Sequence, residues 1–292
     1  MCPTSVSDYS DWIGRSETVE DVASRSAVLR LAALLDRTLA PALVDTAILA
    51  PTGHWLQFTP TVPQGELGDD GHPRLGAFMP QLDLPRRMWA GSAIEYSTPI
   101  RVGQRLCKTT RIESITPKVG SAGQLCFVEL RHDVSADDVH ALVEWQTIVY
   151  QAALPVAARP TLPWQPPRVP TEEPQGWAWV EAAVPDERAL FRYSAATFNA
   201  HRIHYDLRYA TDVEGYPGLV VQGPLSATLI VSAFLDHHPD AAVTRFEFSA
   251  RSPVFAGERI HIVGRPSGSG TEELALIAPG GGVAVAARIV YR

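Results

Sequence analysis

The chain has 292 residues, of which 46% are hydrophobic and 20% charged, with a formal net charge of −7. This composition supports a sizeable hydrophobic core and excludes a disordered chain. The acidic balance, with a pI near 5.7, argues against a nucleic-acid partner, because phosphate binding depends on concentrated Lys and Arg.

The opening segment and the cysteines indicate the compartment. Met1 to Trp12 lacks the charged start and apolar core of a signal peptide, and no later run reaches the roughly 20 apolar residues of a membrane span. Cys2, Cys107 and Cys126 form an odd set without Cys-x-x-Cys spacing, which offers neither a disulfide framework nor a metal site. We therefore expect a cytoplasmic protein with no membrane partner.

The first half of the chain predicts one helix followed by four strands. Thr18 and Asp21 resemble a capping box, and apolar residues recur at helical spacing through Asp36. Stretches rich in β-branched and aromatic residues, separated by short glycine-containing or polar turns, then predict antiparallel strands. These strands are Ala93 to Pro99, Arg105 to Ile115, Phe127 to Val134 and Ala141 to Tyr150.

A proline-rich segment and an internal repeat divide the chain in two. Seven prolines between Gln151 and Gln175 forbid a helix and block continuous strand pairing. The pattern Pro-x-x-x-Gly-x-Arg occurs once on each side of this linker, and each half ends on Ile-Val-Tyr. The repeated residues are Pro99, Gly103 and Arg105 with Pro253, Gly257 and Arg259, and residues 148–150 with 289–291.

The second half predicts a buried helix and another antiparallel sheet. Pro224 suits a first helical turn, and Leu225 to Leu235 is apolar nearly all round, so this helix must be buried. A sheet curled around one long helix is the hotdog architecture. We predict an α+β double hotdog, with two antiparallel sheets each wrapped around a helix. The strands are 245–252, 259–263, 273–277 and 283–291, and the domains are 1–150 and 177–292 with a linker at 151–176.

The segment from Phe191 to Asp206 places an asparagine, two histidines and an aspartate just before the buried helix. These residues are either turn residues that bond the local backbone or the polar part of an active site. A metal site at His201-x-x-His204 lacks a third ligand, so we predict no metal. The helix start favours the catalytic interpretation, because the first N–H groups of a helix have no intrahelical partner and favour negative charge. Gly223 is therefore a candidate oxyanion donor.

The same segment resembles the MaoC-like hotdog hydratases, whose motif is Asp-x-Asn-Pro-x-His followed by His-Gly at a helix start. Aligning His204 with the motif histidine places Asn199 at the aspartate position and Gln222-Gly223 at the His-Gly pair. The run Phe-Arg-Tyr-Ser-Ala-x-Thr-Phe-Asn-x-His-Arg-Ile-His-Tyr-Asp, with Glu-Gly-Tyr-Pro-Gly-Leu-Val after it, is similar to a more specific subfamily. This subfamily contains mesaconyl-C4-CoA and itaconyl-CoA hydratases and type 2 3-hydroxyacyl-thioester dehydratases.

The resemblance extends over nearly the whole chain and assigns one active site to it. Residues 54–58 and 85–91 resemble the FAS1-like dehydratase domain, which implies a non-catalytic first half that shapes the acyl pocket. The implied reaction adds water across an enoyl thioester, with His204 as base and Gly223 as oxyanion donor. Asn199 cannot exchange a proton and would orient the water, so we expect His204 to return the proton as well. Asp206 is the alternative acid.

The acyl group is less constrained by the sequence. A C5 dicarboxylic group such as itaconyl or mesaconyl needs a cation, for which the candidates are Arg86, Arg87, Arg192 and Arg202. We assign substrate binding to Arg202, Tyr205, Gln222, Arg87 and Trp89. Alternatives are dehydration of a longer 3-hydroxyacyl thioester, a thioesterase, which Asn199 disfavours, and a non-catalytic thioester-binding subunit. We expect no cofactor, since CoA is part of the substrate, and a possible homo-oligomer.

Overall fold

The computed structural model describes residues 9–37, 47–120, 123–153, 167–170 and 172–292. The N-terminal half contains β1 (Ser16–Val22), α1 (Arg25–Leu34), β2 (Arg86–Tyr96), β3 (Arg105–Gly120), β4 (Gly123–Ala136) and β5 (Val139–Gln151). The C-terminal half contains β6 (Trp179–Ala183), α2 (Glu187–Thr197), α3 (Gly223–His237), β7 (Val243–Ala250), β8 (Ile260–Gly268), β9 (Thr271–Ile277) and β10 (Val283–Tyr291).

The strands of both halves form a single antiparallel sheet of ten strands, in the order β1-β3-β4-β5-β2-β7-β10-β9-β8-β6. The two predicted sheets are therefore the two halves of one sheet, joined where β2 pairs with β7 from Gly91–Ser249 to Glu95–Arg245. Gly91 permits this junction, because a Cβ there would lie 2.4 Å from the carbonyl oxygen of Phe248. Joining the sheets removes two open strand edges, which explains why pairing is preferred.

The predicted buried helix is α3, and the C-terminal half of the sheet curls around it. Its side chains pack on apolar residues of the facing strands, and most of the helix is inaccessible to solvent. Burying such an apolar helix provides the main hydrophobic driving force of this half. The facing residues include Phe246, Ile262, Leu274, Val285 and Ile289.

The predicted first helix is wrong in its first part. Residues 16–22 form β1, which pairs with the outer edge of β3, and Thr18 contacts Thr109 across the pair. The helix cap is Ser24, whose Oγ accepts the Ala27 N–H at 3.3 Å. A free sheet edge thus overrides the local capping pattern. The shorter helix that follows, α1, packs against α2 and the 3₁₀ turn Gly53–Leu56, so it is not the counterpart of α3.

The other predicted strands are present, and several are longer than predicted. β2 begins at Arg86 rather than Ala93, and β3 continues to Gly120. β6 and α2 were not predicted. Of the predicted linker, residues 154–166 and 171 lie outside the described residues. Among the described residues, no helix is long and apolar enough to span a membrane.

Candidate active site

The polar segment predicted as a loop begins with a helix. α2 is capped by Asp186, whose Oδ1 accepts the Ala189 N–H at 2.9 Å, and ends at Phe198 in the left-handed conformation. Asn199 follows at once, and its Oδ1 accepts the His201 N–H at 3.0 Å. This Asx turn leaves the amide NH₂ of Asn199 as the group that can donate to a ligand.

His204 lies in the next 3₁₀ turn, Arg202–His204, and is 7% exposed. Its Nδ1 is 2.7 Å from the carbonyl oxygen of Val220. Because a carbonyl only accepts, Nδ1 must carry the proton and Nε2 keeps its lone pair. Burial lowers the pKa of His204 to about 4, although the Val220 hydrogen bond opposes the shift. At neutral pH the ring is therefore uncharged and can accept a proton.

The start of α3 is held next to His204 by backbone and side-chain bonds. The Val220 N–H donates to the carbonyl oxygen of Ile203 at 3.0 Å. Gln222, 1% exposed, donates through Nε2 to the carbonyl of Leu190 and to Ser194 Oγ, both at 2.9 Å, which ties the helix start to α2. Its Oε1 has no hydrogen-bond partner among the described residues. The buried Gln222 therefore links the start of α3 to α2, and its Oε1 can still accept a hydrogen bond.

Gly223 opens α3 directly against β2 of the other half. A Cβ at this position would lie 3.3 Å from the carbonyl oxygen of Trp89. Since the first N–H groups of a helix have no intrahelical partner, the Gly223 N–H faces the space beyond the helix end. The predicted oxyanion donor and the predicted pocket residue Trp89 are thus brought together.

Two residues of the N-terminal half reach the histidines and were not predicted. His72 Nδ1 is 2.9 Å from Asp70 Oδ2, and the His72 ring centre lies 4.2 Å from that of His201. Gly71, at φ +91°, lies against the backbone of Ala200, where a Cβ would be only 1.8 Å from the carbonyl oxygen. Nothing in the sequence spacing links residues 70–72 to the second half, because only the long-range packing brings them together.

The His201 ring is 5.2 Å from the His204 ring and perpendicular to it at 85°. Burial and the neighbouring positive groups lower the pKa of His201, so this imidazole is also neutral. Among the described residues, Asp70, His72 and His201 place one ligand atom each within 4.8 Å of one another, a set that could hold a metal ion. This set differs from the predicted His201-x-x-His204 pair, because it contains His201 but not His204 and takes two of its three members from the N-terminal half.

Two cavities adjoin these residues. The smaller, of about 170 Å³, is lined by Trp89 and by Thr197 at the end of α2, together with inner-face residues of β3, β4 and β5. The larger, of about 410 Å³, is lined by Asp70, His72 and Arg87 among others. Trp89, which neighbours Gly223, lines the smaller cavity, and His72, which neighbours His201, lines the larger, whereas His204, Asn199 and Gly223 themselves line neither.

The predicted substrate-binding residues differ in their surroundings. Arg202 pairs with Asp206 at 2.7 Å, Arg86 pairs with Glu214 at 2.6 Å, and Arg192 is exposed. Tyr205 is 51% exposed and donates to the carbonyl of Ala200. Of the four candidate arginines, Arg87 is the one that lines a cavity.

Comparison with known proteins identifies the family of the chain. Residues 52–256 match the family of type 2 hydroxyacyl-thioester dehydratases. The chain is 39% identical over 286 residues to mesaconyl-C(4)-CoA hydratase of Chloroflexus aurantiacus, covering 98% of both chains. It is 28% identical over 274 residues to the mitochondrial type 2 hydroxyacyl-thioester dehydratase of Schizosaccharomyces pombe, covering 84% of this chain and 88% of the relative.

Solved structures confirm the fold. A MaoC-like dehydratase from Phytophthora capsici superposes with a TM-score of 0.68 at 15% identity, covering 97% of this chain and 98% of the other. A double-hotdog protein from Mycobacterium tuberculosis gives 0.59 at 12% identity, with 96% of each chain covered. The predicted double hotdog, the resemblance and the hydratase or dehydratase class are all confirmed. The chain belongs to the type 2 hydroxyacyl-thioester dehydratase family.

Proposed function

We propose that this enzyme hydrates a C5 dicarboxylic enoyl-CoA, itaconyl-CoA or mesaconyl-C4-CoA, to citramalyl-CoA. The observation that carries the chemistry is the buried, neutral His204, whose Nδ1 faces the carbonyl of Val220, so that Nε2 keeps the lone pair of a base. The substrate follows from the relative named as a mesaconyl-C(4)-CoA hydratase, which matches this chain at 39% identity over almost its full length.

In the proposed reaction on mesaconyl-C4-CoA, whose double bond is conjugated with the thioester, His204 Nε2 removes a proton from water while the water oxygen bonds to the β-carbon. The electron pair of the double bond moves onto the thioester oxygen, and the enolate that forms is stabilised by the Gly223 N–H. Such a donor typically contributes about 10²–10³-fold. The imidazolium then returns its proton to the α-carbon. No oxidation state changes, so the reaction needs no cofactor beyond the CoA of the substrate.

Asn199 and Asp206 have different parts in this proposal. The Asn199 Oδ1 is bound to the backbone of His201, which favours a role for its NH₂ in orienting water. Asp206 pairs with Arg202 and caps Tyr209, and these interactions lower its pKa. A carboxylate held ionised in this way is a poor proton donor, so the single-base scheme through His204 is favoured over Asp206 as acid.

Substrate contacts are proposed for residues near the two cavities. Trp89 and Gln222 lie beside the start of α3, and Arg87 is the arginine available to a CoA phosphate or a substrate carboxylate. Tyr205 and Arg202, whose polar groups already have protein partners, would act at the rim. We further propose a cytoplasmic enzyme that can form a homo-oligomer.

The second candidate is dehydration of a longer 3-hydroxyacyl thioester, which the Schizosaccharomyces pombe relative favours. An assay of the purified protein with itaconyl-CoA, mesaconyl-C4-CoA and crotonyl-CoA separates the two. Ultraviolet absorbance follows the conjugated double bond, and chromatography follows the hydroxyacyl product. We expect the dicarboxylic substrates to react with the higher kcat/KM. A preference for crotonyl-CoA and longer enoyl-CoAs would favour the second candidate, and no turnover of any of them would favour a non-catalytic binding subunit.

A further inference from the structure

The inner face of the N-terminal half-sheet carries a row of polar side chains that the proposed mechanism does not use. Lys108 on β3, His132 on β4 and Glu144 on β5 all line the smaller cavity. The strand register explains this. His132 pairs with Glu144 on one side and with Thr110 on the other, and Lys108 lies two residues before Thr110. All three side chains therefore project from the same face of the sheet. Charged groups on the inner face of a sheet indicate a binding site rather than a core.

The charge of Glu144 is fully compensated within the protein. Its carboxylate accepts from Ser92 Oγ at 2.6 Å, from Trp55 Nε1 at 3.0 Å and from His54 Nε2 at 3.0 Å. His54 Nδ1 faces the carbonyl of Pro51 at 3.1 Å, so both ring nitrogens face acceptors and the pair shares one extra proton. Burial alone would raise the pKa of Glu144, but the interactions with His54, His132 and Ser92 together outweigh it and hold the pKa at about 2. The Glu144 carboxylate is therefore held by donors of the protein itself.

Lys108 is left as the cation of the cavity. Its Nζ lies 4.9 Å from the Phe58 ring, and among the described residues it makes no ion pair within 4 Å. Burial lowers the pKa of Lys108, although the charges of Glu144, Glu17 and Asp21 oppose the shift. The Asp21 carboxylate is already bound by the N–H groups of Val22 and Phe58. A half-buried ammonium without a close anion is a site for an anionic ligand group.

The size and place of the cavity indicate which group. Its volume of about 170 Å³ is close to that of a cavity of about 150 Å³ known to hold benzene, which suits a short acyl group but not a long chain. Its wall residue Trp89 meets Gly223 at the start of α3, and Thr197 lies two residues before Asn199. An acyl group whose thioester oxygen contacts Gly223 would pass Trp89 to reach this cavity.

We propose that Lys108 binds the free carboxylate of the acyl group, and that the cavity around it selects short acyl-CoAs that carry such a carboxylate. This assignment rests on the proposed function, since it takes Gly223 as the position of the thioester. It predicts selection by charge as well as by length. His132, which bonds Thr110 and Gln146, forms the neutral wall beside the bound carboxylate.

The test compares two saturated ligands of equal chain length, succinyl-CoA and butyryl-CoA, by isothermal titration calorimetry. Wild type is expected to bind succinyl-CoA more tightly. Lys108→Gln is expected to weaken succinyl-CoA binding by tenfold or more, which corresponds to ~1.4 kcal/mol or more, because it removes one partner of a buried charge pair. Butyryl-CoA binding should be unchanged. Lys118→Gln is the matched control. Lys118 lies on the same strand and 4.7 Å from the Phe127 ring, but it is exposed and lines neither cavity.

Equal affinity of wild type for the two ligands, or equal loss in Lys108→Gln and Lys118→Gln, overturns the proposal. Because no turnover is needed, this result is independent of the hydration assay that tests the proposed function. A second measurement needs no variant. The chain has two lysines, so acetic anhydride labelling followed by mass spectrometry reads each one directly. Succinyl-CoA should protect Lys108 but not Lys118, and free CoA should protect neither; labelling of Lys108 that succinyl-CoA leaves unchanged also overturns the proposal.

Discussion

The two halves of the molecule place opposite chemistry at equivalent positions of the repeat. Lys108 lies three residues after the repeated Arg105, and Ile262 lies three residues after Arg259. Glu144 and Val285 likewise each lie four residues before the isoleucine of Ile-Val-Tyr. In the C-terminal half these residues pack under α3, whereas in the N-terminal half they line a cavity. One copy of the fold has thus kept a core where the other has a pocket.

The two halves contribute different parts of the candidate site. The C-terminal half holds the buried helix α3 and carries His204 close to the start of that helix. The N-terminal half contributes the cavity and the segment Asp70–His72. The proposed site therefore takes residues from both halves.

The largest effect on activity is expected at His204, because it is the proposed catalytic base and lies in the C-terminal half. His204→Ala should lower kcat for the preferred enoyl-CoA by about 10²–10⁴-fold, the usual contribution of a positioned base. His140→Ala, which removes an exposed histidine of β5, serves as the control and should retain full activity. If the kcat of His204→Ala stays within a few-fold of wild type, the catalytic base does not lie in the C-terminal half.

The next effect tests whether the N-terminal inner face depends on charge. Glu144→Gln leaves His54 without its anion and should cost about 3–5 kcal/mol of unfolding free energy at pH 7. Val285→Ala, at the equivalent position, should cost less, about 0.5–3 kcal/mol. Urea unfolding monitored by circular dichroism measures both values. Equal losses of unfolding free energy would show that side-chain packing, rather than the Glu144–His54 ion pair, stabilises the inner faces of both half-sheets.

A smaller effect is expected where the halves meet. In Gly71→Ala the new Cβ would clash with the backbone of Ala200, in addition to the strain of a positive φ. Gly103→Ala has the same strain, at φ +90°, but no atom within 4 Å of the new Cβ. The strain should cost both variants about 1 kcal/mol, and Gly71→Ala should lose a further ~1–3 kcal/mol together with activity. If the two variants behave alike, residues 70–72 do not position the histidines.

The smallest expected effect is a shift in a pH profile. His204 must be neutral to act as a base, and its pKa is lowered to about 4 from the ordinary 6.5. The acid limb of kcat/KM should therefore lie near pH 4, with activity lost as the pH falls through that value. Glu144, with a pKa of about 2, titrates lower still and does not contribute to this limb. A limb near 6.5 would assign it to a solvated histidine instead.

Much of the fold could be predicted because its signals are local. Alternating β-branched residues, glycine turns and the apolar run of α3 each predict an element without reference to the rest of the chain. β1 was mistaken for a helix because its strand conformation is imposed by β3, which lies far away in sequence. The junction of β2 with β7 is invisible for the same reason.

The site was predictable to the extent that it lies in one segment. Asn199, His204 and Gly223 share a stretch of 25 residues that the resemblance also covers. His72 and Glu144 do not, and each contacts a histidine that is distant in sequence, His201 and His54 respectively. Ordinary spacing rules give no sign of such pairs.

The pairing of β2 with β7 also bears on how the molecule folds. Because backbone hydrogen bonds cross from one repeat to the other, either repeat alone would present an unpaired inner strand that favours association. The two halves therefore pair within one chain as the subunits of a dimer would. They should unfold in a single cooperative transition, because separating them would break this strand pairing.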